Sequence, residues 1–247
     1  MYYTGTSGLV LPYPNKSYYP KEFQDKSRIT FYGSLFNSIE INSSFYRIPQ
    51  AATVRKWSES VPSTFKFTFK LWREITHGAH TAFNPDAIVH FMTAIEATET
   101  AKKGSLLIQF PPSFKIQQHK KLVAILETIS GMNSSWKLTV EFRDDSWYQV
   151  SIYELLHAYH ASLVVHDKTG TLKPLIDQPV KFAYIRFHGP GGNYRGSYTD
   201  DVLSEYAQYI AEWLDEGKEI YSYFNNTMGE AIRNLQTLKR FVDNQKT

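Results

Sequence analysis

Short apolar runs recur along the chain, and between them lie stretches whose apolar residues fall three or four apart. That alternation marks strands joined by amphipathic helices, in a mostly parallel sheet with its helices packed outside. The runs predict eight strands: Tyr2 to Thr6, Ser38 to Ile41, Phe65 to Lys70, Leu106 to Phe110, Leu138 to Phe142, Leu163 to His166, Phe182 to Phe187 and Glu219 to Phe224.

The intervening segments carry helix punctuation. Asn84 before Pro85 reads as an N-cap with proline at the first helical position, and Gly104 closes that segment behind Lys102 and Lys103. Ser151 and Glu154 have capping-box spacing ahead of Leu155 and Leu156. Thr199 precedes Asp200 and Asp201, after which Val202, Leu203, Tyr206, Ile210, Trp213 and Leu214 keep helical spacing up to Gly217. The last helix is expected from about Gly229 to Asn244. A helix around Thr53 to Ser60 reads as short. The connection from Asp167 to Lys181 contains Gly170, Pro174 and Pro179 and has no helical period, so the sixth crossover helix is expected to be missing or irregular.

Length alone admits one large domain or two small ones, but eight strands use up all 247 residues. With no linker or composition shift, the expected fold is α/β: a single (β/α)8 TIM-type barrel over residues 1–247. Ordinary proportions of hydrophobic (42%) and charged (21%) residues exclude a disordered or coiled-coil chain. The 15% aromatic content is high enough to fill a core and leave tyrosine for binding surfaces.

The charge of +3 permits an anionic ligand without demanding nucleic acid. An absence of cysteine excludes disulfides, thiolate catalysis and Cys-ligated metals, and fits a reducing compartment. No basic segment followed by an apolar one opens the chain and no apolar run is long enough to span a bilayer, so the expectation is a cytoplasmic protein without a membrane partner.

In a barrel of this kind chemistry sits at the carboxyl ends of the strands. Here those ends read Glu40-Ile41-Asn42, Lys70, Gln109, Glu141-Phe142-Arg143, His166-Asp167, Arg186-Phe187-His188 and Asn225-Asn226. The strand period of two pairs Glu40 with Asn42, Glu141 with Arg143, and Arg186 with His188 on common faces. A Glu–Arg pair inside a barrel can be purely structural; polar residues gathered at one rim by independent strands point to a ligand site.

The loop from His188 to Tyr198 adds glycines that allow close backbone approach, with Arg195, Tyr194 and Tyr198 able to grip an anion and a ring. Asn225 to Gly229 then leads into the last helix, and loops after strands seven and eight often hold phosphate in this architecture. His77 and His80 sit three apart, His166 adjoins Asp167, and His188 could join Glu141; a divalent metal stays open, since none of these spacings names one. His157 and His160 read as solvated or cap residues, and no phosphate-loop, dinucleotide-binding or nucleophile-elbow motif occurs.

Several motifs, in order, give the chain a resemblance. They are GTSG from Gly5 to Gly8, EINSSFYRIP from Glu40 to Pro49, FKFTFK followed by Ile75-Thr76-His77, QFPPSF from Gln109 to Phe114, VEFRDDSW from Val140 to Trp147, YIRFHG from Tyr184 to Gly189 and YFNN from Tyr223 to Asn226. Together they resemble the YecE-like family, catalogued as a domain of unknown function. The resemblance implies a TIM-type barrel similar to the sugar-phosphate isomerase and endonuclease IV group, where a DNA-binding or repair role has been suggested from structural likeness. Endonuclease IV-like enzymes bind several metal ions through His, Asp and Glu. Here Glu40, Glu141, Asp167 and His188 hold such places, but other rim positions carry Asn, Gln, Lys or Arg.

Three readings follow. In the first, the chain is an enzyme, a hydrolase or isomerase, acting on a phosphorylated or other anionic molecule. Glu141 would be its acid or base with Glu40 and His188 as partners, and Asn42, Tyr46, Lys70, His77, Gln109, Arg143, Trp147, Asp167, Arg186, Arg195, Tyr198, Asn225 and Asn226 would bind substrate. In the second it binds nucleic acid, stacking bases on Phe45, Tyr46, Trp72, Trp147, Tyr194 and Tyr198, with Arg47 on phosphate. The third is carbohydrate chemistry on two carboxylates and an aromatic rim.

Overall fold

The computed structural model describes residues 1–78, 84–132, 134–167 and 180–245. Its strands are β1 (Tyr2–Thr6), β2 (Ser38–Ile41), β3 (Lys66–Lys70), β4 (Lys103–Gln109), β5 (Lys137–Glu141), β6 (Ser162–Leu163), β7 (Val165–His166), β8 (Phe182–Phe187) and β9 (Glu219–Phe224). The helices are α1 (Arg28–Leu35), α2 (Ser43–Tyr46), α3 (Ala51–Glu59), α4 (Arg73–Thr76), α5 (Pro85–Ile95), α6 (His119–Ser130), α7 (Val150–Ala158), α8 (Asp200–Asp215) and α9 (Ala231–Asn244). All paired strands are parallel, in two sheets ordered β1-β9-β8-β7 and β2-β3-β4-β5-β6.

Read around, this is the strand order of a (β/α)8 barrel whose ladder is interrupted at two seams. At one seam the predicted sixth strand divides at Val164: Leu163 pairs with Val140 on β5, whereas Val165 pairs with Ile185 on β8. The other seam lies between β1 and β2, where the Asn37 side chain stands in for backbone. Its Nδ2 donates to Tyr2 O and its Oδ1 accepts from Thr4 N, both at 2.9 Å. A bridge between Ser7 and Glu40 continues this seam. The strands press close there, since a Cβ on Gly5 would lie 2.0 Å from Ser38 O.

Side chains cross between the two sheets, which places the sheets face to face. Tyr223 on β9 bonds through its hydroxyl to Ser38 on β2 (2.6 Å) and Thr68 on β3 (2.9 Å). Gly104 on β4 leaves room for the Tyr221 ring, 3.2 Å from where its Cβ would stand. The cluster Tyr3, Leu107, Val164, Phe182, Tyr184, Tyr221 and Tyr223 fills the interior. The opposite faces of β8 and β9, with Ile185, Phe187, Ile220 and Phe224, join Leu203, Ile210, Leu235 and Leu238 of the outer helices in the larger core. Much of the tyrosine excess is therefore interior packing rather than a binding surface.

Local chemistry explains where helices begin. Asn84 caps α5 through Asp86 N (2.9 Å), and Thr199 caps α8 through Val202 N (3.5 Å). Three expectations shift. α5 ends at Ile95, and Gly104 belongs to β4, where close packing requires it. Lys102 Nζ turns to Ser58 O and Val61 O instead of capping a helix end. α7 already starts at Val150, so Ser151 and Glu154 lie inside it without a side-chain cap. His80, and most of the sixth crossover, lie outside the described residues.

Candidate active site at the barrel mouth

Above the tyrosine layer, the carboxyl ends of β2, β5 and β8 hold a buried charge cluster. Arg186, 1% exposed, is its centre. Its Nε and Nη2 grip Glu40 at 3.0 and 2.7 Å, and its Nη1 reaches Glu141 Oε2 at 2.6 Å. Glu40 also accepts from Ser7 Oγ and from the Tyr184 hydroxyl at 2.6 Å. Both Glu40 oxygens are thus occupied. Burial by itself would raise the Glu40 carboxyl, but Arg186 outweighs it and holds the group below its ordinary value. Glu40 and Arg186 form a clasp across the barrel, with no proton left to exchange.

Glu141 differs. Burial opposes its charge, yet Arg143 and Arg186 keep it ionised well below the usual carboxylate range. Arg143 Nη2 is ion-paired with Oε1, but no hydrogen bond of proper alignment reaches that oxygen. Held ionised so far below neutral pH, Glu141 is no proton donor, and its charge balances the two arginines.

The tautomer of His188 follows from its neighbours. Its Nε2 lies 2.9 Å from Arg143 Nη2 and 3.3 Å from Arg186 Nη1, and guanidinium nitrogens can only donate. Nε2 is therefore the acceptor, and Nδ1 carries the proton toward Asp167 Oδ1 at 3.2 Å. Burial pulls the imidazole down to about 4 despite the opposing Asp167 contact, so it is neutral. Asp167 Oδ1 also accepts from His188 N (2.8 Å), and Tyr198 OH donates to Oδ2 while accepting from Gly189 N (2.5 Å). Tyr198 and Asp167 hold His188, which in turn steadies Arg143.

Lys70 closes β3 at the mouth. Its backbone is pinned by Ser44, whose Oγ donates to Lys70 O (2.7 Å) and accepts from Lys70 N (3.1 Å). Its ammonium rests 4.0 Å from the centre of the Phe45 ring. Burial, with Arg186 adding to it, brings the amine down to about 7. His77 packs edge-on against the same ring and bonds Thr76 Oγ1 (2.8 Å). Burial, then the nearby Lys70, lowers His77 to about 4.

Of the remaining expected residues, Asn42 stands at the end of β2 with its Oδ1 buried and unpartnered. Gln109 turns its Nε2 to Phe110 O at 2.6 Å. Asn225 follows β9, its N bonded to Phe187 O. Others lie elsewhere. Tyr46 is exposed, because the single turn of α2 brings Phe45 over Lys70 in its place. Trp147 is fully buried, stacked on Phe142 and Phe114 with its Nε1 bonded to Phe114 O. Arg195 is exposed on the loop.

Asn226 bonds Gly196 O and Asn234, both at 3.0 Å. The Met228 and Glu230 amides take Tyr194 O and Gly196 O, so the loop from His188 to Tyr198 uses up donors that a phosphate would need. Sequence reasoning passed over Ser7 and Tyr184 as site residues. Their signal is position: Ser7 directly follows β1, and Tyr184 shares a strand face with Arg186. Among the described residues, no three His, Asp or Glu gather as metal ligands.

A ring of parallel β/α units with a charged cluster and recessed donors at its carboxyl ends defines the class: a parallel β/α barrel with a polar site in its mouth. The model of the family described as "Protein of unknown function DUF72" matches residues 3–247, and the chain belongs to that family. The UPF0759 protein YunF of Bacillus subtilis is 24% identical, over 98% of this chain and 95% of that protein. The UPF0759 protein YecE of Escherichia coli K12 is 27% identical over 100 residues, which are 40% of this chain and 36% of that protein. Crystal structures of family members are also similar. One from Enterococcus faecalis V583 has a TM-score of 0.80 at 20% identity, over 98% of this chain and 96% of that one. Another from Thermotoga maritima MSB8 has a TM-score of 0.72 at 25% identity, over 98% and 99%. No described helix is long and apolar enough to cross a membrane.

Proposed function

We propose that the protein is an enzyme acting on a small anionic molecule held in the barrel mouth, and that it works in the cytoplasm. One observation carries this reading: cationic side chains gather there, and among the described residues one of them, Lys70, has no acceptor. Among the described residues Lys70 Nζ meets the Phe45 ring and no acceptor, and Arg186 and Arg143 act on it electrostatically. A recessed ammonium without an acceptor favours an anion, which takes a charge-assisted hydrogen bond from it. Glu141, held ionised between Arg143 and Arg186, balances the charge of the arginines beside this anion site.

The recession of these cations favours a small molecule over a polymer backbone. The Lys70 residue is 8% exposed and the Arg143 side chain 6%, whereas duplex binders present cations on the surface. The test is thermal unfolding with phosphate, sulfate, malonate and citrate. At a hundredfold excess over Kd an anion adds about 2.7 kcal/mol, a rise of roughly 5–10 °C for a chain of this size. Lys70→Met is expected to abolish the rise. No response to any of the four anions, or an equal response in the variant, would overturn the reading.

A further inference from the structure

Lys70 has an internal comparison. Lys102 and Lys103 are as deeply buried, at 4% and 7% exposure, and each is paired. Lys102 Nζ reaches Ser58 O, Val61 O and Glu99 Oε1, and Lys103 Nζ reaches Glu96 Oε2. Lys70, at 8%, has no acceptor among the described residues. Glu40 and Glu141 are close enough to act on it electrostatically, but both are engaged by Arg186 and Arg143. A lysine whose task is structural would be paired like the other two, or replaced by an apolar side chain of similar volume.

Charge alone does not explain it either. Two arginines already supply permanent positive charge at the mouth, and a third cation beside them is the one that loses its proton. What Lys70 adds is an amine.

We infer that the Lys70 amine is a nucleophile that condenses with the carbonyl carbon of an anionic aldehyde or ketone, a 2-oxo acid being the simplest of that class, to form an imine at the barrel mouth. The inference rests on the anionic-substrate reading and names the substrate class within it. The unprotonated Nζ adds to the carbonyl carbon, the C=O pair moves to oxygen, and a carbinolamine forms. The two amine protons then leave with that oxygen as water while the nitrogen lone pair closes the C=N bond. No oxidant or reductant is required. With burial and Arg186 bringing Lys70 to about 7, a large part of it is unprotonated at neutral pH. The anionic group of the same molecule is drawn by Arg186 and Arg143, whose charges act at the Lys70 amine.

The experiment traps the imine in the intact wild-type protein. Glyoxylate, pyruvate and the uncharged propionaldehyde are each added with sodium cyanoborohydride near neutral pH, and the labelled lysines are mapped by peptide mass spectrometry. Lys70 is expected to be labelled at least roughly 10-fold faster than exposed Lys26 or Lys239, because its free-amine fraction is far larger. Glyoxylate should outpace propionaldehyde at Lys70 alone, and added phosphate should slow it. Labelling of Lys70 no faster than of surface lysines, while phosphate or malonate still raises the melting temperature, would overturn the imine and leave the anion site standing. Loss of both responses would overturn both.

Discussion

Replacing Lys70 with methionine is expected to stabilise the protein, and to do so in a pH-dependent way. The amine falls from its ordinary 10.5 to about 7 because burial, with Arg186 beside it, outweighs the opposing pull of Glu141 and Glu40. Each pKa unit is worth about 1.36 kcal/mol, so the shift sets a ceiling of about 5 kcal/mol on the cost of holding the charge. Relaxation of the surroundings brings the expected gain to about 2–3 kcal/mol. The sign follows from proton binding. Between about 7 and 10.5 the unfolded chain holds a proton that the folded one has lost, so wild-type stability rises with pH across this window. Below it both states are protonated and the full cost is present. The gap between Lys70→Met and wild type in urea unfolding should therefore be widest near pH 6 and close toward pH 10. A destabilised variant, or a gap that ignores pH, would refute the reasoning.

Three further outcomes are expected. Arg186→Met leaves Glu40 without its ion-pair partner and should cost about 3–5 kcal/mol in chemical denaturation; adding Glu40→Gln should recover part of it, and a loss below about 1 kcal/mol would contradict the clasp. Gly5→Ala drives a methyl against Ser38 O at the β1–β2 seam and should lower stability by about 1–3 kcal/mol by the same measure; a neutral result would mean the strands are not in close contact there. Nitrogen NMR should find His188 in the Nδ1–H form and neutral from pH 8 down to about 5, given its value near 4, whereas protonation near 6.5 would remove the two-arginine contact.

The strands were legible because each is a short apolar run, and the rim residues because a strand period of two orders them by face. The division at Val164 was not, since what splits the strand is a change of neighbour from β5 to β8. Nor could the sequence tell Phe45 from Tyr46, because a single helical turn at Ser43–Tyr46 carries too few residues for a period.

Glu40, Glu141 and Arg186 were legible as charged strand ends. That Arg186 holds both carboxylates depends on contacts 146 and 45 residues apart in sequence. The unpaired state of Lys70 was hidden for a related reason. Lys70, Lys102 and Lys103 read alike as letters, and only the acceptors that surround each one tell them apart.

The most direct measurement follows the Lys70 side chain itself, by carbon and nitrogen NMR of labelled lysine, with Lys70→Arg to assign the signal. The amine is expected to titrate near 7 in the free protein, and to move upward when phosphate or malonate supplies the missing negative charge. A midpoint at about 10.4, unmoved by either anion, is the value of an ordinary exposed lysine and would contradict the account.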